Sequence, residues 1–373
     1  MRNLKVLFLL FVLCACHPDL KLREIVFGEL KSESIYTSDL IQSIELIAFE
    51  QADSAMLGEL LSVKKFNDQV YILDRIRGPL CQFDLNGKFV GSFSKGGRGP
   101  GEYQGASDFL IDDEAGTIEI LSVLNRKIFR YNRDGIFQNS IDIKASAFSF
   151  MKDGQNNYWL NKGIYNFEED SIGRYRIYCL DQNGAVISKQ LPDSSALSMP
   201  ISETNFTKWE NDILFRAYFD NNIYRLNNGL ATSVFSFDFG EFNFPKEVLN
   251  TNQREVYKAL TSKSNMFISK VLENDSLTYI YLTKEGTDYK QYHLILPKGK
   301  DELSLLERAM DSDTDLGLEG AAFLTEGKGL VFVTDPISAK QFLEKRGDDQ
   351  LISKYKDLLD EDDNHLMLKI NFK

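Results

Sequence analysis

Leu80-Cys81-Gln82-Phe83-Asp84-Leu85-Asn86-Gly87-Lys88-Phe89-Val90-Gly91-Ser92-Phe93 reads as two short strands around a tight turn. Apolar residues flank an Asn-Gly pair, the dipeptide that supplies the positive φ a hairpin demands. The arrangement returns at Asp134-Gly135, Asn183-Gly184 and Asn228-Gly229, and successive glycines lie 48, 49 and 45 residues apart. That interval is close to the ~40–50 residues of a four-stranded propeller blade. Each unit is too small to bury its own apolar faces, so the period predicts small sheets stacked in a ring.

Outward from the turns, blade two is the clearest: Ser107 to Asp112, Thr117 to Ser122, Lys127 to Tyr131 and Ile136 to Ile143 give strands A (innermost) to D. Blade one is expected over Leu57–Phe93, blade three over Ala147–Leu191, blade four over Phe206–Phe239 and blade five over Phe267–Leu296. Blade six starts at Ala321 and runs short, with Leu366 to Phe372 as its last strand. A spare strand, Ser43 to Phe49, precedes blade one; pairing it beside the C-terminal strand closes the ring and removes an exposed edge. The expected fold is therefore all-β: a six-bladed β-propeller of four-stranded blades, closed by an N-terminal strand, with helical insertions on one face.

The stretch Lys95-Gly96-Gly97-Arg98-Gly99-Pro100-Gly101-Glu102-Tyr103 follows a blade ending in Phe-Asp-Leu-Asn-Gly. It resembles the GxGPGEY signature of six-bladed β-propeller lipoproteins related to NHL-repeat and TolB-like propellers, and the resemblance spans roughly residues 40–373. It implies the fold and an exported location, and brings no catalytic residues with it. The N-terminus agrees with export. Arg2 and Lys5 precede an apolar run, Val6 to Leu13, far shorter than the ~20 residues of a membrane-spanning helix. Leu13-Cys14-Ala15-Cys16 looks like a lipobox with Cys16 as the lipidated residue; the alternative is an ordinary signal peptide cut nearby. The domain reading is thus a signal peptide at 1–15, an anchor linker at 16–40 and the propeller at 41–373. The expected location is the cell envelope, lipid-anchored at the outer membrane, with the membrane engaged only through the anchor.

Loss of Arg2 and Lys5 takes the formal charge from −12 to −14. An acidic exported chain is not built to hold nucleic acid. Cys81 and Cys179 sit in apolar strand patterns and are expected as buried thiols rather than a disulfide framework.

Loop lengths sort by end of the ring. The A–B and C–D connections are short, as at Asn67-Asp68, Asp113 to Gly116 and Asp153 to Asn156. The B–C and D–A connections take the insertions: Lys162–Arg174, Pro192–Asn205, Gly240–Asn265, Pro297–Gly320 and Pro336–His365. Variable loops on a rigid scaffold are a usual place for binding. Lys246–Leu260, opened by Pro245, Lys300–Met310 and Ile337–Leu359 read as helical. They serve either as a partial lid or as covers over sheet edges.

On that same end Arg75, Arg77, Lys95, Arg98 and Arg126 should converge, with Glu102 and Tyr103 beside them. Arginine suits bidentate capture of carboxylate or phosphate, so the cluster is a candidate anion site; the alternative is that each arginine pairs with acids such as Asp74 or Glu102. Other motifs fail. Glu102 stands where a phosphate loop needs lysine. Asp311 to Asp315 opens like a calcium loop, but Leu316 and Ala322 stand where glycine and glutamate are required; a solvated turn fits better, as for Asp360 to Asp363. Only His17, His293 and His365 are present, with no HExxH or GxSxG. Paired acids for glycoside hydrolysis stay open. Trp159 and Trp209 read as core fillers rather than a sugar-stacking platform.

The function expected is a binding or scaffold propeller that recognises a glycan, peptide or envelope protein through its insert-bearing face, as a monomer and without cofactor or metal. The competing class is a lyase or hydrolase working at the axial channel.

Overall fold

The computed structural model describes residues 22–34, 39–51, 57–74, 79–164, 170–195, 198, 205–209, 212–298, 308–313, 320–359 and 365–373, and these form six sheets. Three strands precede the first blade: β1 (Arg23–Val26), β2 (Lys31–Ser34) and β3 (Ile41–Ala48). Blade one is β4 (Leu60–Phe66), β5 (Gln69–Asp74), β6 (Leu80–Asp84) and β7 (Phe89–Phe93). Blade two is β8 (Asp108–Asp112), β9 (Thr117–Ser122), β10 (Lys127–Asn132) and β11 (Phe137–Asp142). Blade three is β12 (Ser149–Lys152), β13 (Tyr158–Asn161), β14 (Tyr175–Leu180) and β15 (Val186–Pro192). Blade four is β16 (Phe206–Trp209), β17 (Asp212–Arg216), β18 (Asn222–Asn227) and β19 (Leu230–Asp238). Blade five is β20 (Asn265–Glu273), β21 (Leu277–Glu285), β22 (Lys290–Pro297) and β23 (Arg308–Asp313). Blade six is β24 (Phe323–Leu324), β25 (Gly329–Thr334) and β26 (Leu366–Phe372), with β3 as its outer strand.

The inner strands touch in the cyclic order β4, β8, β12, β16, β20, β24 and back to β4, which closes a six-bladed β-propeller. Closure is by β3, antiparallel to β26 from Ile41↔Phe372 to Ala48↔Leu366. The core is divided among the blade interfaces. Met151, Trp159 and Ile177 of blade three meet Phe206, Ile213 and Phe215 of blade four, for example, and each of the other five interfaces has an apolar cluster of its own. Cys81 and Cys179 are buried thiols in this packing, pushed up to about 11 and about 12 by desolvation.

All four turn glycines take positive φ, at 81°, 76°, 82° and 75° for Gly87, Gly135, Gly184 and Gly229. The turns are nevertheless of two kinds. At Gly229 the preceding Asn228 is also left-handed (φ 50°), and Asn227 pairs Leu230 across a two-residue loop. At the other three the glycine alone has positive φ, and an Asp or Asn three residues earlier ties the loop. The Asp84 side chain accepts from the N–H groups of Asn86 and Lys88 at 2.8 and 2.9 Å, and Asn132 and Asp181 do the same for their turns.

Three expectations are corrected. The segment 16–40 is not a plain linker in its described part: β1 adds in parallel to β19, and β2 to β23, as fifth strands of blades four and five. The helix expected at Lys300–Met310 does not reach its last residues, since Arg308 to Asp313 form β23, the outer strand of blade five; residues 299–307 lie outside the described residues. Pro297–Gly320 is therefore not one insertion on the crowded end. Its first part joins β22 to β23, a C–D connection, and Asp311 and Asp313 belong to a strand paired with β22 rather than to a cation loop.

The remaining helical insertions are helical in shorter pieces than expected, Lys246–Asn250 being a 3-10 turn and 336–359 breaking at Gly347, and they lie down as covers. Helix α1 (Gln253–Ser262) is capped by Asn252, whose side chain accepts from the Arg254 and Glu255 N–H groups at 3.0 and 3.2 Å, rather than opened by Pro245. Its Val256 packs with Ile164, Phe219, Phe244, Leu249 and Phe267. Helix α2 (Pro336–Arg346) is capped by Asp335 and stopped by left-handed Gly347; its Ala339, Phe342 and Leu343 pack on Tyr279, Phe332 and Leu366 of blades five and six. A short helix α3 (Asp349–Lys354) follows.

Candidate functional site

The far ends of the inner strands, where the short A–B turns lie, surround an axial pocket of about 550 Å³, a size typical of small-molecule sites. Phe66, Phe109, Leu110, Met151, Phe206, Leu272 and Leu324 give it apolar walls, and charged side chains project from the same strands. Most of those charges are already matched. Lys64 donates to Asp108 Oδ1 and to the Phe109 carbonyl, both at 2.6 Å, and lies 4.8 Å from the centre of the Phe109 ring. Glu273 accepts from Lys298 at 2.9 Å and pairs with Arg225, and Asp113 pairs with Arg133. Asp153 caps its own turn through the Gln155 and Asn157 N–H groups. Lys65 and exposed Lys208 make no ion pair among the described residues.

The pocket continues into a groove of about 210 Å³ between blades two and three, the two sharing Asp112, Glu114, Lys152 and Asn156. Strand periodicity builds it. On the blade-three side of the blade-two sheet, Leu121, Ile128 and Ile141 form one cross-strand row and Glu119, Arg130 and Asn139 the next, because residues two apart share a face. The first row packs against Phe150, Tyr158 and Tyr178 of blade three. The second makes that interface ionic at the turn end.

Glu119 is the centre of the ionic part. It accepts from Lys152 Nζ at 2.6 Å and from Tyr158 Oη at 2.8 and 3.0 Å, and Arg130 Nε lies 3.3 Å away. Lys152 also reaches Asp112 at 2.7 Å. Burial disfavours the charge on Lys152, yet Glu119, Tyr158 and Asp112 outweigh it and hold the ammonium pKa above its ordinary value. Burial likewise opposes ionised Asp112, but Lys152, the Ala115 N–H and nearby Lys208 keep its carboxyl below the usual range. Desolvation and then Glu119 push the Tyr158 phenol up to about 12. The groove floor is a locked, neutral set of two cations and two anions.

Toward the opposite end of the axis, buried side chains tie neighbouring blades together. Asn161 Nδ2 and Ser149 Oγ donate to Asn205 Oδ1 at 2.6 and 3.2 Å, Asn205 donates to the Arg216 carbonyl, and Arg216 donates to the Ile268 carbonyl. This chain of bonds crosses blades three, four and five beneath the insertions.

The residues singled out from sequence are spread out. Arg75, Arg77 and Cys16 lie outside the described residues. Exposed Arg98 lines a separate shallow depression with Glu102, Lys127 and Phe137, while exposed Lys95 leans toward the Gly135 turn. Glu102 folds back to accept from the Gly99 N–H at 2.7 Å, and a Cβ at Gly97 would come within 1.9 Å of its Oε2. Tyr103 is buried against Phe129 and Tyr131. Arg126, at φ 52° in the β9–β10 turn, is half-buried, and its charge is felt by Tyr178 of blade three. The glycine-rich signature thus builds the crossing between blades one and two. Trp159 is a core residue; the side chain of Trp209 lies outside the described part. The residues missed were Asp112, Glu119, Arg130, Lys152 and Lys208. A readable signal existed for one of them, since Glu119 is a lone acid in Ile118-Glu119-Ile120-Leu121.

The sequence matches the family described as Domain of unknown function (DUF4934) over residues 24–371. The chain belongs to the DUF4934 family. No curated protein matches it. Among solved structures, it is similar to a candidate exported protein of Bacteroides fragilis NCTC 9343 at 19% identity and a TM-score of 0.73, over 94% of this chain and 99% of that one. It is also similar to a DUF4221 family member of Bacteroides vulgatus ATCC 8482 at 9% identity and a TM-score of 0.55, over 90% and 99% of the two chains. At these identities the likeness is one of fold.

Proposed function

We propose that this DUF4934 propeller is an envelope-held binding protein that takes its ligand at the turn end of the axis, in the axial pocket and the groove beside it. The observation that carries the reading is the contrast between the two ends. At one, hydrogen bonds cross blades three to five and helix α1 packs down on blades three to five; the other has an apolar-walled pocket with Lys65 and Lys208, which make no ion pair among the described residues, at its margin. The site therefore lies opposite the insert-bearing face that loop lengths favour. A binding role suits it better than hydrolysis, because Asp108, Asp112, Glu119 and Glu273 are engaged by lysines and arginines rather than left as a free acid pair. Export is supported by the charged, apolar N-terminus and by the described nature of the B. fragilis relative. Cys16 is the proposed site of an anchor at the outer membrane.

The test is a steric block. Leu324→Arg in the axial pocket should abolish binding of any ligand recovered by screening the purified protein, with the melting temperature kept within a few degrees. Unchanged affinity in this variant would exclude the pocket. Mass analysis of the mature N-terminus checks the anchor separately; a chain carrying no lipid on Cys16 removes it from the proposal.

A further inference from the structure

We infer that the ligand is a neutral saccharide chain, with one sugar unit seated in the groove between blades two and three. The inference rests on the binding reading above and adds the ligand class. Around the ionic floor the groove presents four amide side chains, Gln138 and Asn139 on β11, Asn156 in the A–B turn of blade three and Gln182 in its C–D turn. None of these amide groups has a hydrogen-bond partner among the described residues, and Gln138, Asn139 and Gln182 are exposed. An amide offers donors and an acceptor together, which matches a hydroxyl that is itself both.

The alternatives fit less well. An anion would seek unsatisfied cations, but Arg130 and Lys152 are engaged by Glu119, Asp112 and Tyr158. A peptide added to a sheet needs an unpaired strand edge, whereas the groove is walled by the face of the blade-two sheet that carries Glu119 and Arg130 rather than by the outer edge of β11. The floor is fixed before any ligand arrives, since Glu119 holds both Lys152 and Tyr158, Asp112 also holds Lys152, and Arg130 also donates to Tyr158. Hydrogen-bonding groups on a rigid floor lose little freedom on binding. Further sugar units would run inward to the axial pocket, where Phe66, Phe206 and Leu272 offer apolar surface to the C–H faces of the rings.

The experiment is calorimetric titration of the whole mature chain with neutral tetrasaccharides of glucose, mannose and N-acetylglucosamine, and with uncharged tetrapeptides. At least one tetrasaccharide should bind, and the triple variant Gln138→Ala/Asn139→Ala/Gln182→Ala should weaken it at least tenfold without shifting the melting temperature, because those side chains hold nothing in the fold. Saccharide affinity unchanged in the triple variant, or no saccharide binding at all, overturns the inference. Binding of peptides alone, lost in Leu324→Arg, would overturn the saccharide assignment and leave the pocket standing. Saccharide binding untouched by Leu324→Arg but lost in the triple variant would remove the axial pocket and keep the groove.

Discussion

Lys152 and His293 are two buried titratable groups treated in opposite ways. Lys152 sits among anions, and its removal would leave the Glu119 carboxylate, whose side chain is 1% exposed, with neutral Tyr158 and the more distant Arg130 cation. Leaving a buried charge unmatched costs about 3–5 kcal/mol, so Lys152→Met should lower unfolding stability by that order in a denaturant titration. His293 is fully buried between Tyr279, Tyr281 and Phe332, and desolvation drives it down to about 3. Tyr279 Oη receives the Ala321 N–H and lies 2.8 Å from His293 Nδ1, and the buried ring is held in its neutral form. The linkage has a definite sign. Between pH 6.5 and about 3 the unfolded chain binds a proton that the folded chain refuses, so stability falls as pH drops, by up to about 1.4 kcal/mol per unit from this residue. Above pH 6.5 it contributes no slope. His293→Phe should flatten the pH dependence of stability in that window; half-buried His365, also lowered mainly by desolvation, leaves part of the slope behind. Neither role was legible in the sequence. A histidine in an apolar strand reads as core, but its partner Tyr279 comes from the neighbouring strand, and the anions around Lys152 come from the neighbouring blade.

At the scale of elements, the hairpins and most strands were readable, because a period of two and an Asn-Gly turn are local properties. Residues 117–122 take strand with the boundaries read from sequence. The turns also bind blade to blade, which local pattern does not reveal. A Cβ on Gly87 would stand 2.0 Å from the Ala48 carbonyl oxygen at the end of β3, in a residue with φ +81°. Gly87→Ala should therefore loosen the junction between blades six and one, lowering stability by at least about 1 kcal/mol in thermal unfolding. The helical covers make the same point from the other side. Phe342 on α2 is fully buried in the cluster of blades five and six, so Phe342→Ala should cost about 3–5 kcal/mol. A mobile lid would tolerate the change. Residues 308–310, the start of β23, read as the end of a helix because Leu303, Leu306 and Met310 are spaced for one; pairing with β22 and β2 overrides that local preference there.

For the whole molecule, the N-terminal segment is the feature with the widest reach. β1, β2 and β3 step around the outside of blades four, five and six in turn. A chain beginning at residue 39 keeps β3 and should fold with a lower melting temperature. One beginning at residue 51 lacks the outer strand of blade six and should fail to give a closed monomer by size-exclusion chromatography, since β26 would expose an unpaired edge. A normal monomer from the shorter chain would refute closure by β3 as the source of ring stability.

The sequence by itself determined the blade repeat, the closing strand and the apolar core, because these follow from the spacing of side chains along a strand and of turns along the chain. Only the tertiary structure decided which end is open and which charges stand free. Those outcomes depend on residues from different blades meeting across an interface, as Glu119 meets Lys152, and on insertions folding down onto sheets far from them in sequence. Neither the pairing of charges nor the hydrogen bonds that tie blades three to five have a signature in any single stretch of chain.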